Sequence, residues 1–146
     1  MSLVTSNLSD RAASEISDRL VQKVIRALNA DDFNSFADCF TVPGLIRAST
    51  GFNIIHSRNC LKRLFCAKCL LFQKHQAQTL VASLDTHAWM EGNAISFVFA
   101  SRFLSTTGKP VGTAFPTLCV ARFDTKKWKI QQSVFPDMAI LSLAGD

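Results

Sequence analysis

The stretch "VIRALNADDFNSFADCFTVPGLI" (Val24–Ile46) carries three changes of local pattern in a short span, and they order the rest of the chain. Its first residues end a long helical pattern that begins at about Ala12. On a wheel of about 100° per residue, Ile16, Leu20, Val21, Val24, Ile25 and Leu28 share one half, and Glu15, Asp18, Arg19, Gln22, Lys23 and Arg26 fill the other. Ser9 or Asp10 is the candidate N-cap. "NADD" then breaks the helix. Asp31 or Asp32 caps a short second helix with Phe33, Phe36, Ala37 and Phe40 on its inner side, and Pro43 and Gly44 stop it.

Outward from this stretch, "LIRASTGFNIIHS" predicts a hairpin with Leu45–Arg47 and Asn53–His56 as arms and Ser49–Gly51 near the turn. Ser57 caps a third helix from Arg58 to about Gln73. After His75 the segments "QTLVASL", "AISFVFASRFL", "FPTLCVARFD" and "WKIQQSVF" are rich in β-branched and aromatic residues. The turn signals "MEGN", "TTGKP" and "DTKK" separate them. Pro116 has no N–H for a ladder, which places it at a strand start, an edge or a bulge. Helices first and an antiparallel meander second predict an α+β domain with helices on one face of a curled sheet.

The 146 residues are expected to form one domain, 1–146, with its core at about 12–137. Apolar residues are 48% and charged residues 18%, a globular balance. No apolar run approaches the roughly 18 residues of a membrane span. The opening "MSLVTSNLSDRAASE" lacks a basic segment followed by an apolar one, so a cytoplasmic protein with reduced thiols is expected. Sixteen basic against eleven acidic residues give a net charge of +5, but the basic residues are scattered. No basic block interleaved with aromatics and no glycine-rich phosphate loop occurs, so neither nucleic acid nor membrane is expected as a partner.

"CLKRLFCAKC" (Cys60–Cys69) raises the question of a metal or redox site. On the third helix Leu61, Leu64, Phe65, Cys69, Leu71 and Phe72 fall on the apolar arc. Cys66 falls among the polar residues, and Cys60 lies across the helix from Cys69. The three thiols therefore cannot meet at one ion, and Cys66 with Cys69 supplies two of the four ligands a structural zinc needs. A redox pair belongs at a helix N-terminus, whereas this one lies two turns inside. Structural thiols, no metal and no cofactor are the expectation. Lys68 falls on the apolar arc, so either it snorkels to water or the helix phase shifts there.

The stretch Val24–Ile46, together with "HSRNCLKRLF", "GNAISFVFASRFLSTTGKPV", "TLCVARFDTKKWKIQQSVF" and the closing Pro136–Asp137, resembles the SnoaL-like branch of the nuclear-transport-factor-2-like superfamily. The resemblance spans about residues 12–137. It implies a cone: three helices against a strongly curved mixed sheet that encloses an apolar pocket, often in a homodimer through the outer sheet face. It also implies small-molecule binding, with proton-transfer enzymes (isomerases, cyclases, dehydratases) and non-catalytic dimerisation or protein-interaction domains both among its members. The steroid isomerases of the superfamily use a tyrosine. This chain has none, and no catalytic residue carries over.

Read from the residues themselves, polar groups on strands are the candidates. Asp85, His87 and Trp89 in "SLDTHAW" share one phase, so Asp85 could orient His87 as a general acid–base pair beside an aromatic floor; a surface Asp and His near a turn is the plainer alternative. Arg102 and Arg122 lie in long apolar strands, binding an anion if inward and ordinary outer-face charges if outward; at least one is expected outward. Gln132 shares a phase with Trp128 and could bond a ligand. His56 and Arg47 are placed near a pocket mouth, and Asp137 follows the last strand. Twelve phenylalanines suit a small, mostly apolar ligand.

Overall fold

In the computed structural model, residues 3–48 and 51–134 are described, with side chains over 11–47 and 54–134. Three helices, α1 (Leu3–Asn29), α2 (Phe33–Ala37) and α3 (Arg58–Lys74), accompany six strands. The strands are β1 (Phe40–Ala48), β2 (Gly51–Ile55), β3 (Thr79–Met90), β4 (Ala94–Leu104), β5 (Pro110–Asp124) and β6 (Lys127–Val134). They form one sheet in the order β2-β1-β6-β5-β4-β3. Only β1 and β6 pair in parallel; the other neighbours are antiparallel, so the sheet is mixed.

Helix α1 begins at Leu3, so Ser9 and Asp10 lie inside it and do not cap it. Asp32 caps α2, its carboxylate accepting from the Ser35 amide at 3.2 Å, and Ser57 caps α3 by accepting from the Cys60 amide at 3.3 Å. The second helix is shorter than its apolar pattern suggests. Phe40 already belongs to β1, and Pro43 and Gly44 lie within that strand instead of ending a helix. A Cβ on Gly44 would meet the Thr41 carbonyl at 2.8 Å and the Gln131 carbonyl at 3.3 Å, so glycine is needed there for close approach to β6. The hairpin that follows pairs Ala48 with Gly51; Ser49, Thr50 and the tail from Phe135, including Asp137, lie outside the described residues.

The inner face of the sheet follows from the cross-strand pairs Leu80–Phe103, Ala82–Ser101, Leu84–Phe99, His87–Phe97 and Trp89–Ile95. Bulges or register shifts at Asp85, Gln131 and between Ser101 and Phe103 bend it around the helices. Helix α1 packs chiefly on β3. Its Asn29 amide bonds both the carbonyl and the N–H of Leu80 at 2.8 Å, and Gln22 donates to the Ala82 carbonyl at 3.2 Å. Two side chains thus satisfy backbone groups of an edge strand. Phe33, Phe36, Phe40 and Phe65 dock α2 onto α3 through ring pairs 4.8–5.7 Å apart. No described helix is long and apolar enough to cross a membrane.

Candidate functional site

Between α1, α3 and the concave face of β3–β5 lies a small cavity. Val24, Ile25 and Leu28 come from α1, Leu71 and Phe72 from α3, and Phe99, Phe103 and Phe115 from the sheet. Phe103 closes its end. Phe72 meets that ring edge-on at 5.3 Å, His75 stacks on it at 5.0 Å, and Phe115 tilts against it at 5.8 Å. Water-sized atoms find about 30 Å³ of room for their centres, space for about two or three such groups, since one water needs roughly 10–15 Å³. Most of the cone is therefore filled by its own side chains.

Three polar side chains face this apolar space: Lys68, Ser101 and Thr117. Ser101 and Thr117 are each 2% exposed. Lys68 answers the question its sequence position raised. The helix phase does not shift: Leu61, Leu64, Phe65 and Leu71 are all buried, and Lys68 lies on their side, half-buried. Burial pushes its ammonium down to about 8. The nearby Cys119 thiol, driven up to about 12 by burial and 3.5 Å from the Ser133 hydroxyl, stays neutral.

The residues singled out from sequence scatter around the sheet. His87 is half-buried on the concave face opposite Phe97. Trp89 shares that face; it is 40% exposed and packs edge-on against Trp128 at 5.8 Å. Asp85 occupies the bulge between Leu84 and Thr86, so strict alternation with His87 is lost; it is exposed and makes no hydrogen bond with His87. Arg102 is exposed opposite Val81 on the outer face. Arg122 also points outward, donating to Gln131 Oε1 at 2.6 Å and to the Gly92 carbonyl at 3.0 Å. The bulge at Gln131 moves Gln132 out of phase with Trp128; it is exposed on the outer face opposite Val120. Arg47 is exposed on β1, and His56 is exposed between β2 and α3.

A second concavity opens at the other end of α1. Ile16, Leu20, Phe123 and Trp128 make its floor and Arg19, Lys23, Lys126 and Lys127 its rim. Lys23 and Lys127 are already committed to Asp38, at 3.4 and 2.9 Å, and hydrogen bonds from Lys127 hold that carboxyl below its ordinary value. It is roomier than the interior cavity but open to solvent, and no buried polar group faces into it.

All five cysteines are free thiols, and among the described residues no group of His, Cys, Asp or Glu could hold a metal ion. Cys66 is exposed, while Cys69 turns inward toward Asp31 at 3.8 Å. Cys60 differs from the rest. In the first turn of α3 its sulfur accepts from the Ser57 hydroxyl at 3.4 Å and from Arg63 at 3.7 Å. Those bonds, together with one from the His56 backbone, bring its thiol down to about 7.

No protein-family model and no curated protein matches the sequence. Solved structures do match in shape. An NTF2-like protein with a cystatin-like fold from Novosphingobium aromaticivorans superposes with a TM-score of 0.66 at 12% identity, over 96% of this chain and 94% of that one. An NTF2-like protein of unknown function from Shewanella oneidensis gives 0.61 at 10% identity, over 82% and 94%. A second Novosphingobium aromaticivorans protein, named provisionally as an aromatic ring hydroxylase, gives 0.58 at 17% identity, over 90% of both chains. With its three helices on a bent mixed sheet, the chain has the cone-shaped α+β fold of the nuclear-transport-factor-2-like proteins.

Proposed function

We propose that the protein binds a small, mostly apolar molecule inside the cone and works as a homodimer. The observation that carries binding is the cavity itself: an apolar space inside the cone with Lys68, Ser101 and Thr117 in its wall. The cavity's size favours a compact ligand over a polycyclic one. A thermal-shift screen of small molecules on the wild-type protein and on Ser101→Leu, which fills the cavity, tests this. Hits that stabilise the wild type and lose their effect in the variant support binding in the cone; hits that act equally on both would place binding elsewhere.

The catalytic form of this proposal is proton transfer, as in isomerisation, cyclisation or dehydration. It assigns the step to His87, the titratable side chain of β3 that shares the concave face with Phe97, with Asp85 on the adjacent bulge and Trp89 beside it. Arg47, His56, Arg102, Arg122 and Gln132 would meet a ligand only at the rim or the outer face. Unchanged turnover of an identified substrate by His87→Ala would remove His87 from the mechanism.

A second reading, an interaction domain, is favoured by the outer sheet face. Val98 pairs with Leu118, and Leu118 with Val134, across three strands. Ala100, Pro116 and Val120 share their face, and Leu118 is 41% exposed. A contiguous apolar stripe on a sheet is a natural surface for a second copy. Sedimentation of Leu118→Lys tests it: the variant is expected to be monomeric where the wild type is dimeric.

A further inference from the structure

The basic groove between α1 and the β5–β6 turn shares no lining residue with the cone cavity, and its chemistry suits a different occupant. We propose that it binds a flat aromatic carboxylate of one or two fused rings, the rings against Phe123 and Trp128 and the carboxylate between Arg19 and Lys126.

Three observations converge on this ligand. The first is an aromatic floor left partly in water. Phe123 is 52% exposed and packs against Trp128 at 5.8 Å and 61°. Trp128 meets Trp89 at 5.8 Å and 64°. Large rings grouped at the surface mark a binding site more than a core, and rings inclined to one another leave faces on which a further ring can stack. Ile16 and Leu20 of α1 complete the apolar side. The second is charge. Arg19 and Lys23 come from α1 and Lys126 and Lys127 from the turn, and among the described residues no acidic side chain lines the groove. The ion pairs of this rim are those of Lys23 and Lys127, and both go to one carboxylate, Asp38, outside the groove. Four cations against one shared carboxylate leave a positive excess that an anion balances. Arg19 presents the planar fork that matches a carboxylate, and Lys126 adds a point charge from the facing element. The third is size. The groove's room of about 240 Å³ is below the roughly 300–1,000 Å³ of sites for drug-sized ligands, which limits the occupant to one or two fused rings. A neutral aromatic meets only the floor, an aliphatic acid only the rim, and an amine is repelled.

The test titrates the full chain with 2-naphthoate, with 2-naphthamide, which keeps the rings without the charge, and with cyclohexanecarboxylate, which keeps the charge without the aromatic ring. The chain holds two tryptophans, Trp89 and Trp128, both in this ring cluster, so their indole N–H signals in NMR spectra report on the site itself. The expected result is saturable binding of 2-naphthoate, roughly ten-fold tighter than either control, that shifts the indole signals and weakens in sodium chloride. Arg19→Gln combined with Lys126→Gln should lower the affinity for the acid by roughly ten-fold and leave that for the amide unchanged. An amide that binds as tightly as the acid would overturn recognition of the charge, and an equal affinity for cyclohexanecarboxylate would overturn recognition of the ring. Binding that leaves both indole signals in place, or no saturable binding of 2-naphthoate, would overturn the site. A double variant that changes the sedimentation of the protein would make the groove a contact between copies and overturn the assignment as well. The three ligands are compared on the wild-type protein, so the outcome does not depend on how the variants fold.

Discussion

Lys68 lies on the apolar side of α3, and its titration makes a signed prediction. Its folded value of about 8 lies below the ordinary 10.5, with burial as the main cause. Between those values the unfolded chain holds a proton that the folded chain has lost, so the Lys68 contribution to stability rises with pH across that window. Below it, the fold carries a desolvated ammonium. Lys68→Met is therefore expected to remove this rise, so that the difference in stability between variant and wild type changes between about pH 8 and 10.5. The buried thiols of Cys39, Cys69 and Cys119 are all raised and act in the opposite sense there, but they are common to both proteins and cancel in the difference. Denaturant melts at pH 7 and pH 10 measure it; a difference independent of pH would place the ammonium in solvent. Cys60 makes the complementary prediction. With its thiol near 7, it should react with iodoacetamide at pH 7.5 several-fold faster than exposed Cys66, read by peptide mass spectrometry. Ser17 is buried with no partner for its hydroxyl, and Ser17→Ala is expected to raise the melting temperature, corresponding to about 0.5–1 kcal/mol.

At the scale of elements, spacing predicts structure correctly where one period governs a whole segment. The apolar halves of α1 and α3 and the alternation of "AISFVFASRFL" in β4 follow from spacing alone, and that alternation puts Ser101 on the inner face. Bulges defeat it elsewhere. One extra residue at Asp85 and one at Gln131 reverse the phase beyond them, and neither carries a glycine or other local mark. The Asp85–His87–Trp89 alignment and the pairing of Gln132 with Trp128 are lost for that reason. The start of strand β1 is hidden because Pro43–Gly44 looks like a helix stop, while the parallel partner that needs Gly44 is far away in sequence. The cavity wall is half legible: a lysine on an apolar arc is visible, but only the fold brings it to one space with Ser101 and Thr117. Two substitutions test the elements. Asn29→Ala leaves the Leu80 backbone groups without their side-chain partner and should cost about 1–3 kcal/mol. Gly44→Ala should cost a comparable amount, about 1–3 kcal/mol, by forcing β1 away from β6. Thermal or urea unfolding reads both.

At the scale of the molecule, the fold places two surfaces on opposite sides of one sheet. The concave side meets α1 and α3 and keeps one small apolar space with polar groups in its wall. The convex side carries the Val98–Leu118–Val134 stripe. A dimer through the stripe would leave each cavity intact, so binding and assembly are separable: Leu118→Lys should abolish the dimer and retain ligand affinity, while Ser101→Leu should do the reverse. The most direct measurement is native mass spectrometry of the protein purified without added ligand, then incubated with the hits of the thermal-shift screen. A dimer that holds one small organic molecule per subunit, and loses it in Ser101→Leu, is the predicted result. A protein that retains no small molecule and takes up none would contradict the central claim that the cone is a binding site.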